Sequence, residues 1–171
     1  MIRQLKIITL LLGIFLLNRE ATASLSCGAN VDQLTEQLLR DLPNYTNRVI
    51  RSAQSLERDQ LQIRHLILAS KPEFEPISLS QTQYRPVFND SPPQVFFTTL
   101  ERRYINRQPV ETQGFHWLFL TETPQGWRFV MLFSSQDTTN TDQPPSPPRD
   151  SNQTAIAQAI RLWLRDCHGS S

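Results

Sequence analysis

Glycine is scarce in this chain, five in 171 residues, which leaves little for the backbone cradles that hold phosphates. No G-x-G-x-x-G, P-loop, H-E-x-x-H, G-x-S-x-G or paired C-x-x-C motif occurs, so the sequence signals of dinucleotide, nucleotide, zincin and serine-hydrolase chemistry are all missing. Histidine is rare too. His65, His116 and His168 are too scattered to suggest a metal site, and nothing implies a cofactor. Neither sign of charge dominates: 17 basic and 16 acidic residues give a net charge of +1. That balance points away from nucleic acid and from anionic membrane surfaces.

Long apolar runs are also lacking. The strongest is the eleven-residue stretch Ile7 to Leu17, far short of the roughly 20 residues a membrane-spanning helix needs. With Arg3 and Lys6 before it and Ala21-Thr22-Ala23 after it, the stretch reads as a signal peptide, residues 1–23, cleaved after Ala23. An uncleaved anchor is one rival. Acylation of Cys27 is another, although Ser24-Leu25-Ser26 fits poorly the Leu-small-small sequence that should precede such a cysteine. Cleavage removes three basic residues and Glu20, so the mature chain carries −1 and no transmembrane segment. Lys71 is then the only lysine, against thirteen arginines. Arginine favours bidentate pairing with carboxylates and phosphates, but a bias toward arginine codons gives the same count.

There are two cysteines, Cys27 and Cys167. In an exported chain one pair reads as one disulfide, closing a loop of about 140 residues for which chain entropy gives at most about 5 kcal/mol.

The remaining residues, 24–171, suffice for a single domain with its own core. Asn30 followed by Gln33 reads as a helix cap, and Val31, Leu34, Leu38 and Leu42 form a stripe that Pro43 is expected to stop. Residues 45–56 are ambiguous and lean toward a strand. Strands are expected at Ile63 to Ala69, at Phe74 to Leu79 as an edge, and at Val95 to Tyr104. Residues 134–152 read as a proline-rich loop. Its PxxPxR match to SH3 ligands is set aside because those partners are mainly cytosolic and eukaryotic. Asp150 or Ser151 would cap a last helix, on which Ile156, Ala159, Ile160, Trp163, Leu164 and Cys167 share one face.

Between them lies FHWLFLTETPQGWRFVMLF, Phe115 to Phe133, around which the chain is organised. Thr123-Pro124-Gln125-Gly126 suits a type I turn followed by a left-handed bulge glycine. With the bulge there, Glu122 opposes Arg128, Leu120 opposes Val130 and Leu118 opposes Leu132. Trp117, Phe119, Phe129, Met131 and Phe133 then share one face, and Leu118, Leu120, Val130 and Leu132 the other. Both faces are apolar, so the hairpin should be central and covered on both sides.

The combination of QVFFTTLERRY, FHWLFLT, GWRFVMLFS and PPSPPRDSNQTAIAQAIRLWLRDC resembles exported, uncharacterised cyanobacterial proteins with no assigned activity. The resemblance covers most of the mature chain and implies a bacterial origin and export. It adds no catalytic residue.

The fold expected is α+β: an antiparallel meander sheet of about 4–6 strands with N- and C-terminal helices tied by a disulfide. The function expected is a non-catalytic binding or assembly module, exported to the periplasm, the thylakoid lumen or the medium. Its partner would be a protein or small molecule of the envelope or lumen, not nucleic acid. The alternatives are a small hydrolase using His116 with an acid such as Glu101, or a carrier with an apolar cavity. A meander places the connection 105–114 and the chain exit at Ser134 at one end of the sheet. There Arg103, Tyr104, Arg107 and His116 would meet an anionic or carboxylate-bearing partner. The plainer alternative has the arginines solvated and Tyr104 and His116 finishing the core.

Overall fold

A computed structural model describes residues 30–54, 64–74, 92–105, 107–137 and 145–169. Residues 1–23, Cys27 and nearly all of the edge strand expected at Phe74 to Leu79 lie outside the described residues. The elements run α1 (Val31–Gln54), β1 (Arg64–Ala69), β2 (Gln94–Ile105), β3 (Gln108–Thr123), β4 (Gly126–Gln136), β5 (Arg149–Asp150) and α2 (Ala155–Gly169). The five strands pair antiparallel in sequence order. Two helices lie against each other and against this sheet, α1 on β1 and α2 on β4. The architecture is α+β, with a five-stranded meander.

Helix α1 corrects two readings, because it passes through Pro43 and includes most of the segment 45–56 that leaned toward a strand. A mid-helix proline loses one backbone hydrogen bond and costs about 3 kcal/mol. Against that, Leu34, Leu38, Leu39 and Leu42 are buried, with Tyr45 and Val49 packed on the same core. Each buried leucine contributes roughly 1.5–3 kcal/mol, so the continuous apolar face outweighs the break. The start of the helix is as expected: Asn30 Oδ1 accepts the Gln33 amide at 2.9 Å. Near its middle, Asn47 satisfies both backbone groups of Leu66. Its Nδ2 donates to the carbonyl at 2.9 Å and its Oδ1 accepts the amide at 2.8 Å, so helix and edge strand are joined by one side chain.

The central hairpin turns at the expected residues, but the bulge expected at Gly126 is absent and the register beside the turn differs. Gly126 takes φ 98°, the left-handed conformation expected of it. A Cβ there would also collide with the ring of His168, whose Nε2 donates to the Trp127 carbonyl at 2.9 Å. Leu118↔Leu132 pairs as predicted, with Trp117↔Phe133 beside it. Closer to the turn, Leu120 faces Phe129 and Thr121 faces Arg128, with the register shift between Phe119 and Leu120. Val130 is therefore the extra residue and is 39 % exposed, and the expected Glu122–Arg128 pairing is not made. A bulge of this kind re-aims the side chains beyond it. Here it sends Phe129 against the buried core beside Leu120 and allows Trp127 to be buried as well.

The two faces of the sheet differ. Val95, Phe97, Leu118, Leu120 and Leu132 are fully buried. Phe96, Trp117, Phe119, Met131 and Phe133 are half-buried. On that second face Phe96 and Trp117 lie 5.4 Å apart, and Phe119 meets Phe133 edge-on at 6.3 Å.

Helix α2 buries the predicted stripe Ile156, Ala159, Ile160, Trp163, Leu164 and Cys167. Its cap is Thr154 instead of Asp150 or Ser151: the Thr154 carbonyl accepts the Gln158 amide at 3.0 Å and its Oγ1 accepts the Ala157 amide at 3.4 Å. Asp150 and Arg149 belong to β5, and residues 134–136 belong to β4, so the proline-rich connection is shorter than 134–152. None of the described helices is long and apolar enough to cross a membrane.

Candidate functional site

The four residues singled out from the sequence are not brought to one place. The connection expected over 105–114 is a tight turn between β2 and β3, whose pairing starts at Ile105↔Gln108. Arg107 occupies that turn with φ 67° and is exposed, as is Tyr104, while Arg103 is half-buried nearby. His116 is nine positions further along β3 from Arg107, which at about 3.3 Å per residue is on the order of 30 Å. Strand β4 stops at Gln136, opposite Gly114, so β2 and β3 overhang it. The meander order was right, but unequal strand lengths separate the hairpin tip from the exit of β4.

His116 sits instead on the buried face. It is 3 % exposed, stacked on Phe97 at 4.9 Å between centroids, with Nε2 2.8 Å from Thr99 Oγ1 and Nδ1 2.8 Å from Ser134 Oγ. Gly114 admits this arrangement, since a Cβ there would lie 2.7 Å from both His116 Nε2 and Thr99 Oγ1. Burial among apolar neighbours disfavours the imidazolium and lowers the His116 pKa from 6.5 to about 4.

A stability prediction follows from that shift. The unfolded chain binds a proton near pH 6.5, whereas folded His116 resists it until about pH 4. The stability conferred by its neutral form is complete above pH 6.5 and is lost as the pH falls through that window, by about 3 kcal/mol at the low end. Glu101 has the opposite effect: burial raises its carboxyl pKa against the pull of Arg64 and Arg103, so its contribution falls as the pH rises through the carboxylate range. The contribution of His116 is therefore isolated by comparing variants. Urea unfolding of wild type and His116→Gln between pH 7 and 4 is expected to show a much flatter pH dependence in the variant.

His116 forms part of the wall of a cavity of about 420 Å³. Thr46 and Ile50 of α1 close one side, Arg64 and Leu66 of β1 and Glu101 of β2 another. Ser134, Gln136 and Asp137 line it at the end of β4, and residues 149–151 and 154–156 line it before and at the start of α2. The volume is within the usual range for small-molecule sites. Arg64 Nε is 3.7 Å from Glu101 Oε2. Asp150 is held by Asn152, whose amide reaches Oδ1 at 2.8 Å and whose Nδ2 reaches Oδ2 at 3.1 Å. Thr46 is 2 % exposed, and its Oγ1 has no hydrogen-bond partner among the described residues. The described residues contain no cluster of three or more His, Cys, Asp and Glu fit to hold a metal ion.

The chemistry available differs from a nucleophile–base arrangement in two respects. Ser134 and His116 are within hydrogen-bond distance, but the other ring nitrogen is engaged by the hydroxyl of Thr99 and not by a carboxylate that would stabilise an imidazolium. A histidine titrating at about 4 is also a weak base at neutral pH. Glu101 shares the cavity with His116, but the hydrogen-bond partners of the ring are the hydroxyls of Thr99 and Ser134. Sequence reasoning missed Thr46, Ser134, Arg149 and Ala155 as cavity residues. Thr46 carried a readable signal, a lone hydroxyl continuing the leucine stripe of α1 one turn after Leu42. No protein-family model, curated protein sequence or solved structure matches the chain.

Proposed function

We propose that the protein is an exported, non-catalytic binding module and that its binding site is the cavity beneath the start of α2. The observation that carries this reading is the coexistence of a pocket of about 420 Å³ with a histidine held neutral and hydrogen-bonded through both ring nitrogens. The cavity supplies space and polar groups, whereas its one imidazole is fixed in place and poorly basic. Export rests on the basic, apolar and small-residue segments of residues 1–23.

The Cys27–Cys167 disulfide belongs to the same proposal. Cys167 is buried in the last turn of α2. Asp41 of α1 accepts from Trp163, one turn before Cys167, and Tyr45 donates to Asp166 beside it at 3.2 Å. The chain enters α1 at Val31, four residues after Cys27. Non-reducing peptide mapping is expected to join the two cysteines; a lipid on Cys27 would overturn the pairing.

Native mass spectrometry of the protein from its host is expected to show a bound mass, lost on unfolding. Ester or amide hydrolysis that disappears in Ser134→Ala, with no bound species in the wild type, would replace this reading with the hydrolase alternative.

A further inference from the structure

Helix α2 begins at the cavity with amides that have no partner among the described residues. Thr154 is its cap, and Ala155 and Ile156 are its first two residues. Both line the cavity, and neither amide makes a hydrogen bond among the described residues. The first turn contains no acidic side chain to offset the positive end of the helix dipole. A helix of 15 residues presents about half a positive charge there. Independently, the buried Thr46 hydroxyl of α1 lines the same cavity and has no partner among the described residues. A buried polar atom left unmatched within a protein is destabilising, and that cost is recovered when a ligand supplies the missing partner.

The charges around the cavity narrow the ligand further. Arg64 is paired with Glu101, which leaves Arg149 as the remaining arginine lining the cavity. Three carboxylates, Glu101, Asp137 and Asp150, also line it. They would repel a phosphate dianion more strongly than a monoanion. The rest of the wall includes Ile50, Leu66 and Ile156, which suit an apolar body.

We propose, building on the binding-module reading, that the cavity takes a small organic acid. The carboxylate would sit on the free amides of Ala155 and Ile156 beside Arg149, and an apolar tail would rest against Ile50, Leu66 and Ile156. Thr46 supplies a further hydroxyl on the opposite wall.

The test uses the full mature protein with three probes: hexanoate, hexanol and inorganic phosphate, titrated by calorimetry or by amide chemical shifts. Hexanoate is expected to bind, shifting the Ala155 and Ile156 amides, while hexanol and phosphate bind at least tenfold more weakly. Ala155→Pro removes one amide at the first helical position, where proline is tolerated. It is expected to weaken hexanoate about tenfold or more, the loss of one hydrogen bond to a charged group, with an unchanged melting temperature. Arg149→Gln provides a second variant that leaves the helix intact and should weaken hexanoate similarly.

Equal binding of hexanoate and hexanol would overturn the carboxylate assignment and leave an apolar carrier, with the cavity still a binding site. Preferred binding of phosphate would overturn the monoanion argument alone. If no probe binds and the native protein carries a macromolecular partner unaffected by Ala155→Pro, the carboxylate assignment and the cavity as binding site both fall.

Discussion

Trp163→Ala is expected to lower stability by roughly 3–5 kcal/mol, which for a domain of this size is a large part of the whole. Trp163 is fully buried in the core that α2 forms with α1 and the sheet. Its Nε1 donates to Asp41 Oδ2 at 2.9 Å, joining the two helices across the chain. Trp163→Phe separates the two contributions. It keeps most of the apolar contact and strips the donor from Asp41, which is half-buried and able to regain water. That variant is expected to cost about 1 kcal/mol. Urea unfolding with both variants is the measurement, and equal losses would mean that the hydrogen bond, not burial, holds the helices together.

Leu120→Ala is expected to cost about 3–5 kcal/mol and Phe119→Ala only about 1–2 kcal/mol, although they are neighbours in one strand. Leu120 points into the helix-covered core and is fully buried. Phe119 points to the other face, where it is half-buried against Phe133. Two apolar faces in the sequence pattern led to the expectation of equal covering. Denaturant midpoints of the two variants decide the matter: a loss at Phe119 as large as at Leu120 would show that the second face is sealed as fully as the first.

Much of the architecture was readable because it depends on local chemistry. The Asn30 cap, the stripe on α2 and the Pro124–Gly126 turn are each set by a few adjacent residues whose backbone preferences agree with the apolar period. The errors occurred where a local preference competed with packing. Pro43 reads as a stop, and only the burial of Leu38, Leu39 and Leu42 against the sheet and the second helix shows why the helix continues. The register beside the turn has the same origin. Moving the bulge from the turn to Val130 exposes one valine and lets Phe129 join the core with Trp127 buried, a choice that alternation cannot reveal.

The candidate site was the least legible part. His116 was noticed, but its role depends on Thr99, Gly114 and Ser134, which come from three strands. The cavity is assembled from α1, all five strands and the start of α2, and its key feature, two amides without a partner among the described residues, belongs to the backbone and has no side-chain signature.

By itself the sequence determined the α+β class, the meander order, the turn and the amphipathic faces of both helices, because these follow from periodicity and from residues that fix φ. Only the tertiary structure decided how far α1 runs, which sheet face the helices cover, where the hairpin bulges and which groups surround the cavity. Those outcomes depend on burial energies summed over contacts between distant segments, and such sums exceed the local costs of a proline or a shifted register.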